Sequence, residues 1–303
     1  MRRRLVIVVG PTAVGKTDWS IDLALRHGSP VISCDSRQIY KEMTVGTAVP
    51  DASQLSAVKH YFIQDHSIHQ YYTAGKYEIE ALALIHRLFD EGHETLVMAG
   101  GSGFYVDAVC NGLDDMPDAD PALRADLTRR LAEEGVESLR ADLKRLDPEA
   151  WRTIDIANPQ RVLRAVEVYL LSGRPFSSFK LAAPKPRDFE IEKIGLTRPR
   201  AELYGRIDRR VLQMVDDGLV EEVRGLLPDR DLPALQTVGY KEVFAYLDVL
   251  DGRVPASGPS AGGPHTIRSL EDAVREIQTH TRHYAKRQLT WWRRDPAIRW
   301  VEL

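Results

Sequence analysis

The stretch "LVIVVGPTAVGKTDWSIDLALRHG" (residues 5–28) decides the fold. Its five apolar residues at 5–9 predict a buried strand, and residues 17–28 have helical spacing of apolar positions with a glycine stop. Between them, "GPTAVGKT" (10–17) matches the phosphate-loop pattern G-x-x-x-x-G-K-[ST]. A strand, a glycine loop and a helix in this order predict a site that holds a polyphosphate.

Each part of this loop has an expected role. Backbone N–H groups and the helix N-terminus would bind phosphate oxygens, Lys16 would add a positive charge, and the Thr17 hydroxyl would contact Mg²⁺. The loop residues expected at the phosphates are Gly10, Pro11, Thr12, Ala13, Val14, Gly15, Lys16 and Thr17. A kinase, a nucleotide hydrolase and a transferase with a diphosphate leaving group would all be served by this loop.

Two more apolar segments, "PVISCD" (30–35) and "ETLVMAGG" (94–101), extend the predicted sheet. The second follows a helical segment, and such alternation predicts an α/β fold with a parallel sheet between helices. Ligands bind beyond the carboxyl ends of such strands, so Asp35 and residues 100–103 are expected beside the loop. The later strand ends in glycines rather than the aspartate that organises water and magnesium in nucleotide hydrolases, which disfavours hydrolysis.

The middle of the chain differs from the rest in composition and in its predicted secondary structure. Residues 113–187 are charged and helical without strand signals, so we predict a helical insertion there and a phosphate-loop core formed by 1–112 and 188–303. "DFEIEKIGLT" (188–197) is expected to return to the sheet, followed by helices over 199–228, 236–250 and 268–293. The Pro/Gly/Ser-rich stretch 252–264 is predicted to be a mobile linker.

Composition places the chain among ordinary globular proteins. It has 303 residues, 43% hydrophobic and 28% charged, with net charge −3, so any nucleic-acid-binding surface must be local. "MRRR" and the apolar run behind it are too short for a signal peptide or a membrane span. With only Cys34 and Cys110, we expect no disulfide and a cytoplasmic location. The spacing of His60, His66 and His69 fits no common zinc site.

A local basic surface is indicated near the C-terminus. "REIQTHTRHYAKRQLTWWRR" (275–294) contains six Lys or Arg and one Glu with aromatic residues interleaved. At helical spacing, Arg282, Lys286 and Arg293 share a face. Five excess positive charges on a chain of net −3 favour a surface that follows a phosphate backbone. The alternative is a solvated helix whose tryptophans enter the core.

Six motifs in order resemble the tRNA dimethylallyltransferase (tRNA isopentenyltransferase) family. They run from residue 10 to 294: "GPTAVGKT", "DSRQIY…GTA", "GGSGFY", "NPQRVLRAVEVY", "TVGYKE" and "AKRQLTWWRR". The resemblance implies a P-loop NTPase-like fold and transfer of the dimethylallyl group of dimethylallyl diphosphate to N6 of adenine 37, beside the tRNA anticodon. It also implies that the insertion helps to bind the anticodon stem, and we expect a monomer without membrane contact.

Site residues follow from the resemblance motif by motif. Asp35 is expected to be the general base; Lys16, Thr17 and Ser102 join it as catalytic residues, with Mg²⁺ at Thr17. Arg210 is expected near the diphosphate. The tRNA contacts are expected at Asp35, Ser36, Arg37, Gln38, Ser102, Arg124, Gln160, Arg161, Val162, Leu163, Arg164, Gln236, Thr237, Val238, Gly239, Tyr240, Lys241, Arg282, Lys286, Arg287, Gln288, Leu289, Thr290, Trp291, Trp292 and Arg293.

The chain departs from the family pattern at two places. The family has Thr and Leu in "GGTGLY" where this chain has Ser102 and Phe104, and residues 51–75 and the linker 252–264 are unlike the family pattern, so no contacts are transferred to them. Three other functions stay open at this point. These are a small-molecule kinase of the shikimate-kinase type, an RNA-binding module with a relict phosphate loop, and a prenyltransferase acting on free adenine nucleotides.

Overall fold

The predicted strand, loop and helix are present at the start of the chain. In the computed structural model, which describes residues 3–179, 183–253 and 267–303, β1 spans Arg4–Val9 and α1 spans Lys16–His27. Gly10 ends the strand with φ +148°, and a Cβ at this position would lie 2.6 Å from the carbonyl oxygen of Leu196. A glycine is therefore required where the chain leaves the sheet and enters the loop.

A parallel sheet follows, as predicted. Its other strands are β2 (Val31–Ser33), β3 (His60–Tyr61), β4 (Thr95–Ala99), β5 (Glu190–Thr197) and β6 (Ile298–Glu302). Within the described residues the strand order is β3-β2-β4-β1-β5-β6, and all neighbours pair in parallel. The α/β prediction is confirmed, while β3 and β6 were not predicted. Because β2 ends at Ser33, Asp35 lies two residues beyond the strand.

Helices connect and cover these strands. In chain order they are α2 (Ala52–Ala57), α3 (Ala74–Asp90), α4 (Gly103–Asn111), α5 (Pro121–Glu134), α6 (Val136–Leu146), α7 (Pro148–Thr153), α8 (Pro159–Ser172), α9 (Arg200–Asp216), α10 (Leu219–Gly225), α11 (Tyr240–Leu250) and α12 (Leu270–Trp292), with short 3₁₀ helices at Phe176–Phe179, Leu227–Asp229 and Pro233–Leu235. No helix in the described part of the chain has both the length and the apolar character needed to cross a membrane.

The core lies on both faces of the sheet. Residues Leu5 to Val9 are all buried, and successive side chains of a strand point to opposite faces. On one face, Val6 and Val8 pack in a cluster with Leu203 and Ile207 of α9 and Ala285 of α12. This packing fixes α9 and α12 against the strand that leads into the phosphate loop.

The chain divides into two compact units. One consists of Met1–Cys110 with Pro186–Leu303, and the other is Asn111–Lys185. The latter unit is helical, and Leu127, Leu139 and Leu163 are among its core residues. The sequence-based limits for the helical insertion, 113–187, lie two residues later at each end. The predicted linker over 252–264 lies, from residue 254 onward, outside the described residues.

Candidate active site

The phosphate loop is held in place by side chains on both sides. The Lys16 ammonium donates hydrogen bonds to the carbonyl oxygens of Gly10 (3.1 Å) and Pro11 (2.8 Å). From α9 and the segment before it, Arg206 and Arg198 donate to the carbonyl oxygens of Ala13 (2.7 Å) and Val14 (2.8 Å). Because these side chains bind its carbonyl oxygens, the loop is held in one conformation. Together with the N-terminus of α1, it forms one wall of a cavity.

That cavity has a volume of about 470 Å³. Its lining includes predicted loop residues, the predicted base and three arginines of α9: Thr12, Ala13, Gly15, Lys16, Thr17, Asp35, Arg206, Arg209 and Arg210. We call it the phosphate cavity. The predicted loop residues Lys16 and Thr17, the predicted base Asp35 and the predicted diphosphate ligand Arg210 therefore meet in one place.

Two half-buried cations, Lys16 and Arg210, lie close to Asp35 in the phosphate cavity. Burial lowers the pKa of Lys16 to about 8; the nearby Asp35 carboxylate opposes this shift and the Arg210 guanidinium adds to it. Burial also lowers the pKa of Arg210, again opposed by Asp35 and reinforced by Arg206. The positive charges are thus held at a cost that a bound polyanion would offset.

Asp35 is oriented by the turn that follows β2. Its Oδ1 accepts hydrogen bonds from the backbone N–H groups of Arg37 (2.9 Å) and Gln38 (3.3 Å). The next residue, Ser36, is held by Ser102, whose hydroxyl oxygen accepts from the Ser36 N–H at 2.9 Å and donates to the Ser36 hydroxyl at 3.0 Å. Ser102 thus shapes the turn that carries Asp35, and its expected catalytic role and tRNA contact stay predictions.

A second cavity, of about 240 Å³, borders the same carboxylate. It shares Thr12, Ala13, Asp35, Thr47, Arg210 and Tyr284 with the phosphate cavity and adds Ser36, Arg37, Thr237, Val238, Gly239 and the apolar residues Ile207, Val211, Met214 and Ile277. We call it the acceptor cavity. Two motifs that lie 200 residues apart in the sequence, at 35–38 and 236–241, are brought together here. Gln236 and Lys241 are exposed, while Tyr240 is fully buried.

Gln288 of α12 links the phosphate loop to the end of β4. Its Oε1 accepts a hydrogen bond from the Thr12 N–H at 2.8 Å, and its Nε2 donates to the Gly101 carbonyl oxygen at 2.9 Å. The side chain is buried. The sequence predicted an RNA contact for Gln288 and did not indicate this role, because its partners lie 276 and 187 residues away. Tyr284, one turn earlier, was likewise not predicted to line the site.

The other predicted RNA-binding residues of α12 divide between core and surface. Arg282 forms an ion pair with Asp208 of α9 at 2.7 Å, so its guanidinium already has a partner within the protein. Trp292 is 2% exposed, Trp291 is half-buried, and Leu289 packs against the core cluster. The exposed residues are Lys286, Arg287, Thr290 and Arg293. The basic face predicted for this helix is therefore carried by Lys286, Arg287 and Arg293.

The helical unit divides its predicted RNA-binding residues in the same way. Arg124 and Arg164 both bind the carboxylate of Glu167, which has no exposed surface. Val162 and Leu163 are fully buried in the core of this unit. Gln160 and Arg161 are exposed at the start of α8, so an RNA contact through side chains of this segment would come from these two.

The site also offers ligands for a magnesium ion. Among the described residues, no group of three or more His, Cys, Asp or Glu side chains could hold a metal by itself. Mg²⁺ commonly binds through one or two protein oxygens together with substrate phosphates and water. The oxygen donors of Thr17 and Asp35 in the phosphate cavity fit that mode of binding.

Comparisons with known proteins identify the family of the chain. An IPP transferase family model matches residues 38–295. The tRNA dimethylallyltransferase 2 of Porphyromonas gingivalis is 47% identical over 296 residues, which cover 98% of this chain and 93% of that protein. The crystal structure of a tRNA isopentenylpyrophosphate transferase from Bacillus halodurans is 35% identical with a TM-score of 0.67, covering 99% of this chain and 90% of that one.

The fold extends to more distant proteins. A eukaryotic dimethylallyltransferase, described as acting on tRNA, is 22% identical and superposes with a TM-score of 0.77 over 99% of this chain and 74% of that one. This similarity shows the fold alone, and the fold is the P-loop NTPase-like one that the sequence predicted. The chain belongs to the IPP transferase family, in which its curated relatives are named tRNA dimethylallyltransferases.

Proposed function

We propose that this enzyme, a tRNA dimethylallyltransferase by family, transfers the dimethylallyl group of dimethylallyl diphosphate to N6 of adenine 37 in tRNA. The observation that carries the proposal is that the phosphate cavity and the acceptor cavity meet at Asp35. A kinase of small molecules would also use a second cavity for its acceptor, but it would leave the exposed basic residues Lys286, Arg287 and Arg293 without a role.

The donor half of the reaction depends on the loop. In our proposal its backbone N–H groups, Lys16 and Arg210 bind the diphosphate. The bond between C1 of the allyl group and the diphosphate oxygen then breaks, and the loop, Lys16 and Arg210 stabilise the charge that develops on the leaving group. Mg²⁺, when bound with Thr17 as a ligand, would neutralise part of that charge.

The acceptor half depends on Asp35. The N6 amine of adenine is a poor nucleophile because its lone pair is delocalised into the ring, so it must lose a proton as it attacks. Oδ1 of Asp35 is held by two backbone N–H groups, and we assign the N6 proton to Oδ2. The N6–C1 bond forms as the C1–O bond breaks, and diphosphate leaves.

Adenine 37 must leave its stack in the anticodon loop to reach Asp35. Extruding a base costs about a few kcal/mol. We propose that the base enters the acceptor cavity between Ser36–Arg37 and Thr237–Gly239, where it would also meet the ring of Tyr284. The exposed basic residues of α12, and Gln160 and Arg161 of the helical unit, would hold the flanking RNA.

One transfer experiment tests the proposal. The protein is incubated with Mg²⁺, radiolabelled dimethylallyl diphosphate and an unmodified tRNA that carries adenine 37, and the RNA is digested to nucleosides. We expect the label in N6-dimethylallyladenosine, and none when the same transcript carries guanine 37. Label in free AMP but not in tRNA would assign the protein to free adenine nucleotides. Turnover of ATP with a small hydroxylated acceptor would move it to the kinases.

The surface of α12 gives a prediction on salt dependence. Replacing Lys286 and Arg293 together with Gln should weaken tRNA binding and flatten the slope of log K against log salt by about one unit for each lost phosphate contact. Donor affinity should not change, because neither residue lines the phosphate cavity. Filter binding across a salt series measures the slope.

The matched control for this double variant is Arg275→Gln. Arg275 is an exposed residue near the start of the same helix, paired with Asp272. It should leave the slope as in the wild type. Arg282→Gln should act on stability more than on the slope, because this side chain is bound to Asp208. An unchanged slope in the double variant would show that this helix face is only a solvated surface.

A further inference from the structure

Glu222, on the short helix α10, accepts hydrogen bonds from three successive backbone N–H groups. Those of Thr44 and Val45 donate to Oε2 at 2.9 and 2.7 Å, and that of Gly46 donates to Oε1 at 3.0 Å. A fourth donor is the hydroxyl of Tyr240, at 2.7 Å from Oε1. Successive N–H groups that converge in this way form an anion-binding nest, which is filled here by a side chain of the same protein.

Tyr240 closes the nest from the other side. A Cβ at position 46 would lie 2.6 and 2.8 Å from two ring carbons of Tyr240 and 2.9 Å from its hydroxyl oxygen, so only glycine permits this close approach of the backbone to the ring. Burial, followed by the neighbouring Glu222 carboxylate, raises the pKa of Tyr240 far above its usual value. The phenol therefore stays protonated and donates to Glu222. The turn, the carboxylate and the phenol form one interlocked contact, which we call the Glu222 clamp.

The clamped turn carries backbone groups that reach the active site. The carbonyl oxygens of Thr47 and Ala48 accept hydrogen bonds from the Gln38 side-chain amide at 3.1 and 2.8 Å. The Ala48 carbonyl oxygen also lies 3.5 Å from a guanidinium nitrogen of Arg210. Ala48 has φ +51°, a left-handed conformation that a non-glycine residue rarely adopts, and this conformation persists only because its surroundings impose it.

These contacts connect Glu222 to the reacting groups without touching them. Gln38 donates its backbone N–H to Asp35 Oδ1 at 3.3 Å, and Arg210 borders both cavities. We propose that Glu222 is a positioning residue for prenyl transfer: by holding residues 44–48, it fixes Gln38 and Arg210 beside Asp35. This inference rests on the proposed function and adds to it a residue that lines neither cavity.

The test is the variant Glu222→Gln, which removes the negative charge of the side chain and keeps its size. In Glu222→Gln one of the two acceptor oxygens becomes an NH₂ group, which faces N–H donors and cannot bind them, so the turn should relax. We expect the single-turnover rate constant for transfer of the label to tRNA to fall by about 10- to 100-fold, because displacements of about 1 Å can cost that much. Donor affinity should fall much less than the rate constant, because only Arg210 is loosened, while the loop N–H groups and Lys16, which are not part of the clamp, still bind the diphosphate.

Two further variants sharpen the test. Glu221→Gln, an exposed neighbour on the same helix, makes the same change of charge and should behave as the wild type. Glu222→Asp keeps the carboxylate and should recover part of the lost rate. If Glu222→Gln does not fold, Tyr240→Phe removes one of the four donors and should lower the rate constant by about threefold to tenfold.

The readout separates positioning from mere stability. A structural role would lower the amplitude of the single-turnover reaction and the Tm, while the rate constant of the remaining folded enzyme stayed as in the wild type. That result, or wild-type rate constants in both Glu222→Gln and Tyr240→Phe, would overturn the inference. If the wild-type protein transfers no label to tRNA, the proposed function is itself wrong and the positioning role with it.

Discussion

Asp35→Asn should lower the single-turnover rate of dimethylallyl transfer by about 10²–10⁴-fold, the range for loss of a positioned general base. The amide keeps the size of the side chain and an oxygen that can accept from the backbone N–H groups of Arg37 and Gln38. It cannot take the N6 proton. Binding of tRNA and donor should therefore change much less than the rate, which rapid-quench and equilibrium binding measurements would show separately.

A magnesium series distinguishes the base from a metal ligand. If Asp35 served mainly to hold the ion, excess Mg²⁺ would restore the rate of the variant, and donor affinity would fall. Asp18→Asn is the matched control, because Asp18 also lines the phosphate cavity but is exposed and bound to Gln54. We expect only a small effect from it. Full rescue by metal, or a wild-type rate in Asp35→Asn, would exclude the general-base role.

Lys16→Met should reduce the transfer rate by about 10²–10³-fold at saturating donor, as expected for loss of one charge-stabilising group at a leaving diphosphate. It should also weaken binding of dimethylallyl diphosphate, because the ammonium would turn from the loop carbonyls to the phosphate when donor binds. Isothermal titration gives the affinity and rapid quench gives the rate. A variant that binds donor and reacts as the wild type does would show that Lys16 only braces the loop.

The lowered pKa of Lys16 predicts a pH dependence of donor binding. Below about pH 8 the free enzyme holds Lys16 charged, and above it the proton is lost. A bound diphosphate favours the charged form, so binding takes up a proton at high pH and the Kd should rise with pH above 8. Terminal phosphate groups titrate near pH 6, so the donor contributes no further change. In Lys16→Arg, which stays charged, the Kd for the donor should not change with pH. Lys16→Met, which has no titrating group at this position, should bind the donor more weakly and also without a pH dependence. A flat wild-type profile between pH 7 and 9.5 would contradict this assignment.

The sequence predicts those parts of the fold whose signal is local. β1, the loop and α1 combine an apolar run, a glycine motif and helical spacing, all within residues 4–28. β3 is only two residues long and has no pattern to detect. β6, at 298–302, is the short segment "IRWVE", in which apolar and polar residues do not alternate strictly, so it gives only a weak strand signal. Its place at the sheet edge depends on pairing with β5, which no local pattern contains.

The residues of the candidate site were likewise predictable only where their signal is local. The phosphate loop with Lys16 and Thr17 follows β1, and Asp35 follows β2, so their convergence follows from the topology of a parallel sheet. Gln288 binds Thr12, Glu222 binds Thr44 and Arg282 binds Asp208, at sequence separations of 276, 178 and 74 residues, where helical spacing gives no information. The sequence pattern of a basic helix face is the same whether an arginine contacts RNA or, as Arg282 does, pairs with an aspartate of the neighbouring helix α9.

Gln288 makes α12 a shared element of two binding events. Its amide oxygen accepts from the Thr12 N–H in the phosphate loop, while Lys286 and Arg293 at the same end of the helix are exposed and, in our proposal, contact RNA. A tRNA that shifts α12 on docking would shift that amide too, and donor affinity would change. Thermodynamic linkage then requires that the donor alter tRNA affinity by the same factor. The two substrates would in that case bind cooperatively, and order of addition would matter for kinetics but not for the final equilibrium.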